Sequence, residues 1–266
     1  MRPLRYSPVV ALAAVWLAPH TVRATDSVII SANGSTLTGA TGGGGGSLTW
    51  LHDFTSGVVG AGGEYQRLAD THWAFGSLSG SVSTSSATDK WTFSADGHVG
   101  SGDTGTPLGV HHFSYQVAGA GIAGTFQGKL TIQLEGRQYD IDTTHGTLPK
   151  AGVGFLWTPR LQTTVSYARS VTGNLGTELE TFRIDHYGAT VNWLAGAAAG
   201  HVAPRIVNIY TGATGPAPQL REGYLGLSKA FGRSDWSILG DYLKVAGERR
   251  ITLTVVCTLH AGNPAS

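Results

Sequence analysis

Four polar residues near the middle of the chain have the types that a hydroxyl nucleophile needs: Asp96 and His98 in DKWTFSADGHVG, then His112 and Ser114 in GVHHFSYQ. A carboxylate that orients an imidazole, and an imidazole that takes the proton of a serine, make that serine able to attack an ester. For the group to form, the two segments must pair as an antiparallel hairpin that sets Asp96 opposite Ser114 and His98 opposite His112. All four would then share the polar face, across from Trp91, Phe93, Phe113 and Tyr115. No oxyanion donor is identifiable, and polar side chains are also what a hydrated wall needs, so these residues read as lining ahead of catalysis. His98, His111 and His112, or His145 beside Asp140 and Asp142, lack a metal-ligand spacing, and no metal or other cofactor is expected. The run Gly42 to Gly46 lacks the Lys-Ser/Thr of a phosphate loop and reads as a flexible connection.

The elements that position these residues are strands with one apolar face. In GKLTIQLEGR, Leu130, Ile132 and Leu134 fall on one side, and Lys129, Thr131, Gln133, Glu135 and Arg137 on the other. The same alternation recurs in LQTTVSYARS and ITLTVVCTL, and more noisily in DWSILGDYLKV. Helical signals are nearly absent; the Ala-rich piece from Leu194 to Gly200 carries two glycines. A soluble sandwich would turn the apolar faces inward, whereas a transmembrane barrel would turn them outward against lipid.

Composition favours the second arrangement. Only 13% of residues are charged and 39 are Gly, which suits a chain that shows half its side chains to lipid better than one with a watery exterior. Arg2 and Arg5 precede the apolar run from Val9 to Ala18, and Val22-Arg23-Ala24 offers a cleavage site, so residues 1–24 read as a secretory signal and 25–266 as a single domain. Loss of Arg2, Arg5 and Arg23 takes the net charge from +1 to −2, which leaves no footprint for nucleic acid. Cys257 is alone and reads as a small apolar strand residue.

Alternating strands and turns give candidates at 27–37, 47–55, 58–68, 72–83, 90–100, 111–120, 127–139, 149–158, 161–171, 182–194, 201–210, 221–231, 235–246 and 249–259. That is fourteen strands, or twelve if two N-terminal segments are misread. Short connections near 85–89, 120–124, 158–162, 195–200 and 232–235 alternate with longer ones near 100–109, 139–150, 172–180 and 211–220. Trp50, Trp73, Trp91, Trp157, Trp193 and Trp236 stand near strand ends or in first halves of strands, where an interfacial belt would need them.

On these features, together with the closing strand RRITLTVVCTL, the chain resembles the Gram-negative outer-membrane β-barrel class. It departs in ending its last strand near Leu259 without a terminal aromatic. The resemblance implies an all-β, antiparallel up-and-down transmembrane β-barrel in the outer membrane, with both ends in the periplasm and insertion by the barrel-insertion machinery into outer-membrane lipid. The function expected is passive passage of small polar solutes or a polysaccharide, along a lumen lined by Asp96, Lys129, Thr131, Gln133, Glu135 and Arg137. The rivals are a lipid- or glycan-modifying enzyme and an adhesion barrel acting through its loops.

Overall fold

The computed structural model describes residues 26–38, 40–68, 71–85, 90–106, 109–142, 144–174, 176–201, 219–245 and 248–261. The expected signal, residues 1–24, lies outside the described residues. Fifteen strand segments follow one another: β1 (Asp26–Leu37), β2 (Ala40–Phe54), β3 (Gly57–Leu68), β4 (Thr71–Ser85), β5 (Trp91–Thr106), β6 (Gly109–Phe126), β7 (Leu130–Ile141), β8 (Thr144–Thr158), β9 (Leu161–Arg169), β10 (Thr172–Gly173), β11 (Glu178–His186), β12 (Asn192–His201), β13 (Gln219–Phe231), β14 (Ser234–Val245) and β15 (Glu248–Ala261). The two-residue β10 continues the edge of β8 past the end of β9. The other fourteen form the wall, each antiparallel to its sequence neighbour in that wall. β1 pairs with β15 from Asp26↔Ala261 to Leu37↔Arg250, which closes the sheet on itself and sets the first and last described residues, Asp26 and Ala261, side by side at one rim. Closure is what removes the unpaired edge that an open sheet of this size would expose.

The strand count agrees with the sequence reading, but several boundaries differ for physical reasons. Residues 42–46 are not a linker: they run within β2, and Gly43 to Gly46 pair with Ser35 to Ala32 of β1. Residues 120–124 are not a turn either. β6 continues to Phe126, and the reversal comes at Gln127 and Gly128, whose φ values of 52° and 65° give the paired left-handed residues of a type I′ hairpin. Lys129 N then donates to Phe126 O at 3.0 Å. Likewise 195–200 lies inside β12, and the candidate strand 182–194 divides into β11, a connection and the start of β12. The candidate at 201–210 and most of the loop at 211–220 fall outside the described residues.

The sorting of short and long loops is also different. Residues 100–106, 139–141 and 144–150 are strand: β5 runs to Thr106 and β6 starts at Gly109, β7 runs to Ile141 and β8 starts at Thr144, so β5 to β8 run long at the rim away from Asp26 and Ala261. Residues 170–174, 176 and 177, between β9 and β11, lie on that far rim.

The outer face is apolar across its middle. Ile30, Leu48, Leu78, Leu134, Leu225 and Leu253 are all between 45% and 60% exposed there. Toward the rim of Asp26 and Ala261 this band meets aromatic rings: Trp50, Trp91, Trp157, Trp193 and Trp236 face outward, with Trp91 edge-on to Phe126 at 5.7 Å and Phe155 to Trp157 at 4.7 Å. On the far side of the band come Tyr65, Tyr167 and Tyr242, then outward charges such as Arg67, Asp103, Arg221, Lys244 and Arg249. From Trp236 to Lys244 is roughly eight residues, which at ~3.3 Å each and a tilt of ~40° spans about 20 Å. Trp73 is the exception among the expected belt tryptophans: it faces inward and is 3% exposed, packed with Leu37 and Phe75.

Candidate functional site

Because strand side chains alternate, the outward band assigns the opposite residues to the inner face. Serine and threonine dominate its β1, β2 and β4 portion, and hydroxyls meet across it: Ser31 Oγ lies 2.7 Å from Ser47 Oγ. Further round, the face becomes charged. On β7, Thr131, Gln133, Glu135 and Arg137 turn inward, opposite to exposed Ile132 and Leu134, as their spacing predicts. Glu135 is directly across from Lys150 of β8, with Nζ and Oε2 3.6 Å apart. Arg137 Nη2 reaches Asp96 Oδ1 of β5 at 3.5 Å, although β6 lies between them.

That reach depends on Gly119, the β6 residue paired with both Asp96 and Arg137. A Cβ at Gly119 would stand 2.7 Å from Asp96 Oδ1 and 3.0 Å from Arg137 Cγ, so only glycine leaves the gap through which the two side chains meet. Gly196 does the same for Tyr224, whose Oη would lie 2.3 Å from an added Cβ. The high glycine content is thus partly explained: small residues on one strand make room for long side chains leaning from its neighbours.

Lys129 departs from the expected lining set. It occupies the β6–β7 turn at the rim, exposed, because β7 starts one residue later. The larger correction concerns the nucleophile group. Asp96 pairs with Gly119 and His98 with Val117, while His112 pairs with Asp103 and Ser114 with Ser101. β5 ends at Thr106, paired with Gly109 of β6, and the resulting register differs from the expected one by an odd number of residues, which flips one strand's faces relative to the other. Asp96 and His98 therefore point inward, whereas His112 and Ser114 point outward, and the four do not assemble. His112 Nδ1 instead meets Asp103 Oδ1 at 2.9 Å on the outer surface, and His111, facing inward, lies 3.4 Å from Asp142.

The structure does hold one hydrogen-bonded Ser, His and Asp set that sequence spacing could not reveal, since its members come from opposite ends of the chain. Ser27 Oγ is 3.0 Å from His260 Nδ1, and His260 Nε2 is 2.8 Å from Asp235 Oδ2. The three lie on β1, β15 and β14, side by side across the closing seam. Ser27 is only 4% exposed, which leaves no approach for an ester carbonyl, so the set stitches the seam rather than activating a nucleophile.

Two other inner groups were not singled out by pattern. Phe75 meets Phe113 and Tyr115 edge-on at 6.3 and 6.0 Å, beside buried Trp73, making an aromatic sector on β4 and β6. On the opposite arc, Arg183 Nε donates to Asp185 at 2.8 Å, near Tyr224, and Glu222, Asp241 and Arg250 face inward from β13, β14 and β15. Among the described residues no three His, Cys, Asp or Glu side chains converge as a metal site would require.

No protein-family model matches the chain, and no curated protein does. Solved structures do. One described as the CymD monoaromatic hydrocarbon channel aligns with a TM-score of 0.58 and 10% identity, covering 91% of this chain and 90% of that one. The crystal structure of the Pseudomonas putida toluene transporter TodX aligns at 0.55 and 11%, covering 96% and 94%. At such identity the likeness is one of fold: a closed, fourteen-stranded antiparallel barrel.

Proposed function

We propose that the barrel sits in an outer membrane and is a passive channel for small polar solutes, short carbohydrate chains included. The observation that carries this is the inversion of the two faces. An apolar band between tryptophans and charges covers the outside, while hydroxyls, amides and ion pairs cover the inside. Lipid matches the first surface and water the second. Closing fourteen strands at ~4.8 Å spacing and ~40° tilt gives a backbone radius of about 14 Å, so inward side chains leave room along the axis.

Asp96, Thr131, Gln133, Glu135 and Arg137 line this passage in the proposal. Half-buried Phe75 and Tyr115 offer flat faces to a sugar ring at the far mouth. The solutes named for CymD and TodX are apolar, and the ion-paired arc of this lumen suits them less well than it suits polar ones. An N-terminal signal and the barrel-insertion machinery would bring the chain to the membrane. Planar-bilayer recording of the purified, refolded protein tests the proposal: stepwise ion current is expected, and its absence at every voltage would remove the channel reading.

A further inference from the structure

The inner face has carboxylates that no cation matches. Among the described residues, Arg137, Lys150, Arg183 and Arg250 are the Lys and Arg side chains that turn inward from the wall strands. The first three are each held by one partner: Asp96 at 3.5 Å, Glu135 at 3.6 Å and Asp185. Arg250 is shared. Asp241, on the adjoining strand, and Glu222, one strand further, both feel its charge. Asp241 is 6% exposed, and its Oδ2 has no hydrogen-bond partner. Three to five strands further round the wall from β15, β14 and β13, Glu64 of β3 stands beside Gln66 and Trp73 in a stretch, β1 to β6, where no described Lys or Arg faces inward. Its Oε1 is likewise buried without a hydrogen-bond partner.

Resting on the channel reading above, we infer that the passage prefers cations to anions, with Glu64, Glu222 and Asp241 as the residues that set the preference. When ionised, carboxylates without matching cations focus negative potential into the water they surround. At physiological ionic strength that potential decays over about 8 Å, a large part of the backbone radius of about 14 Å from which the inward side chains project, so it reaches a solute in the lumen. The permeant class is inorganic and small organic cations, alongside neutral polyols that feel no such field.

Reversal potentials across a KCl gradient in planar bilayers test this. The expected permeability ratio of K+ to Cl− is well above one, and it should fall toward one in the Glu64→Gln, Glu222→Gln double variant while current persists. Asp103→Asn, outward and at the far end, should leave the ratio unchanged. Heat-modifiable gel migration confirms that each variant has folded. If Glu222→Gln does not fold, Glu64→Gln alone, from the other arc, should still lower the ratio. Current with no preference, with anion preference, or with a ratio indifferent to these changes would overturn the inference. No current at all from folded wild-type protein would instead sink the channel reading beneath it.

Discussion

The two arcs of the inner face are built from the same alternating strands yet carry different loads. From β1 to β6 the inward residues include hydroxyls, glycines, the carboxylates of Glu64 and Asp96 and a tight aromatic group, with Trp73 and Phe113 buried and no described Lys or Arg. From β7 to β15 they are ion pairs: Arg137 with Asp96 reached across β6, Lys150 with Glu135, and Arg183 with Asp185. The outer wall is alike on both arcs, with the same apolar band across its middle. The inner wall is free to vary, and the difference shows that one arc is held by packing and the other by charge.

Trp73→Ala should have the largest effect. It empties a site 3% exposed and should cost about 3 kcal/mol in urea unfolding in micelles, with little dependence on salt. Gly119→Val comes next on the charged arc, since its side chain would fill the gap between Asp96 and Arg137. A loss of about 2 kcal/mol is expected, and pairing it with Arg137→Met should show strong non-additivity. Arg137→Ala leaves Asp96 facing the lumen without its partner and should cost about 1 kcal/mol, less at high salt because both groups keep some access to water. Equal salt sensitivity for Trp73→Ala and Arg137→Ala would erase the contrast between the arcs. The smallest effect belongs to the seam: His260→Ala removes two hydrogen bonds, of which Asp235, 38% exposed, recovers its own from water while buried Ser27 does not, and it should lower the melting temperature by only a few degrees.

Much of the wall was legible in the sequence, because a strand's two faces are written in its own alternation. Ile132 and Leu134 against Gln133 and Glu135 needed no neighbours to be sorted, whereas the turn at Gln127-Gly128 was missed in favour of the glycines at 120–124. Glycines misled where they did something other than turn the chain. Gly42 to Gly46 pair as a strand, and Gly119 and Gly121 are gaps for side chains from β5 and β7, a role that depends on residues in other strands. Trp73 looked like its belt counterparts, because a single aromatic near a strand end does not declare which face it occupies.

By itself, the sequence determined that this chain is a barrel of strands with one apolar face, since periodicity and low charge are properties of each segment alone. Only the tertiary structure decided which polar residues meet. Register is set by where a hairpin turns, and an odd shift separated Asp96 from Ser114 by a whole wall while bringing Asp96 to Arg137. Closure did the rest: joining β1 to β15 placed Ser27 against His260, a contact between residues far apart in sequence that no local pattern encodes.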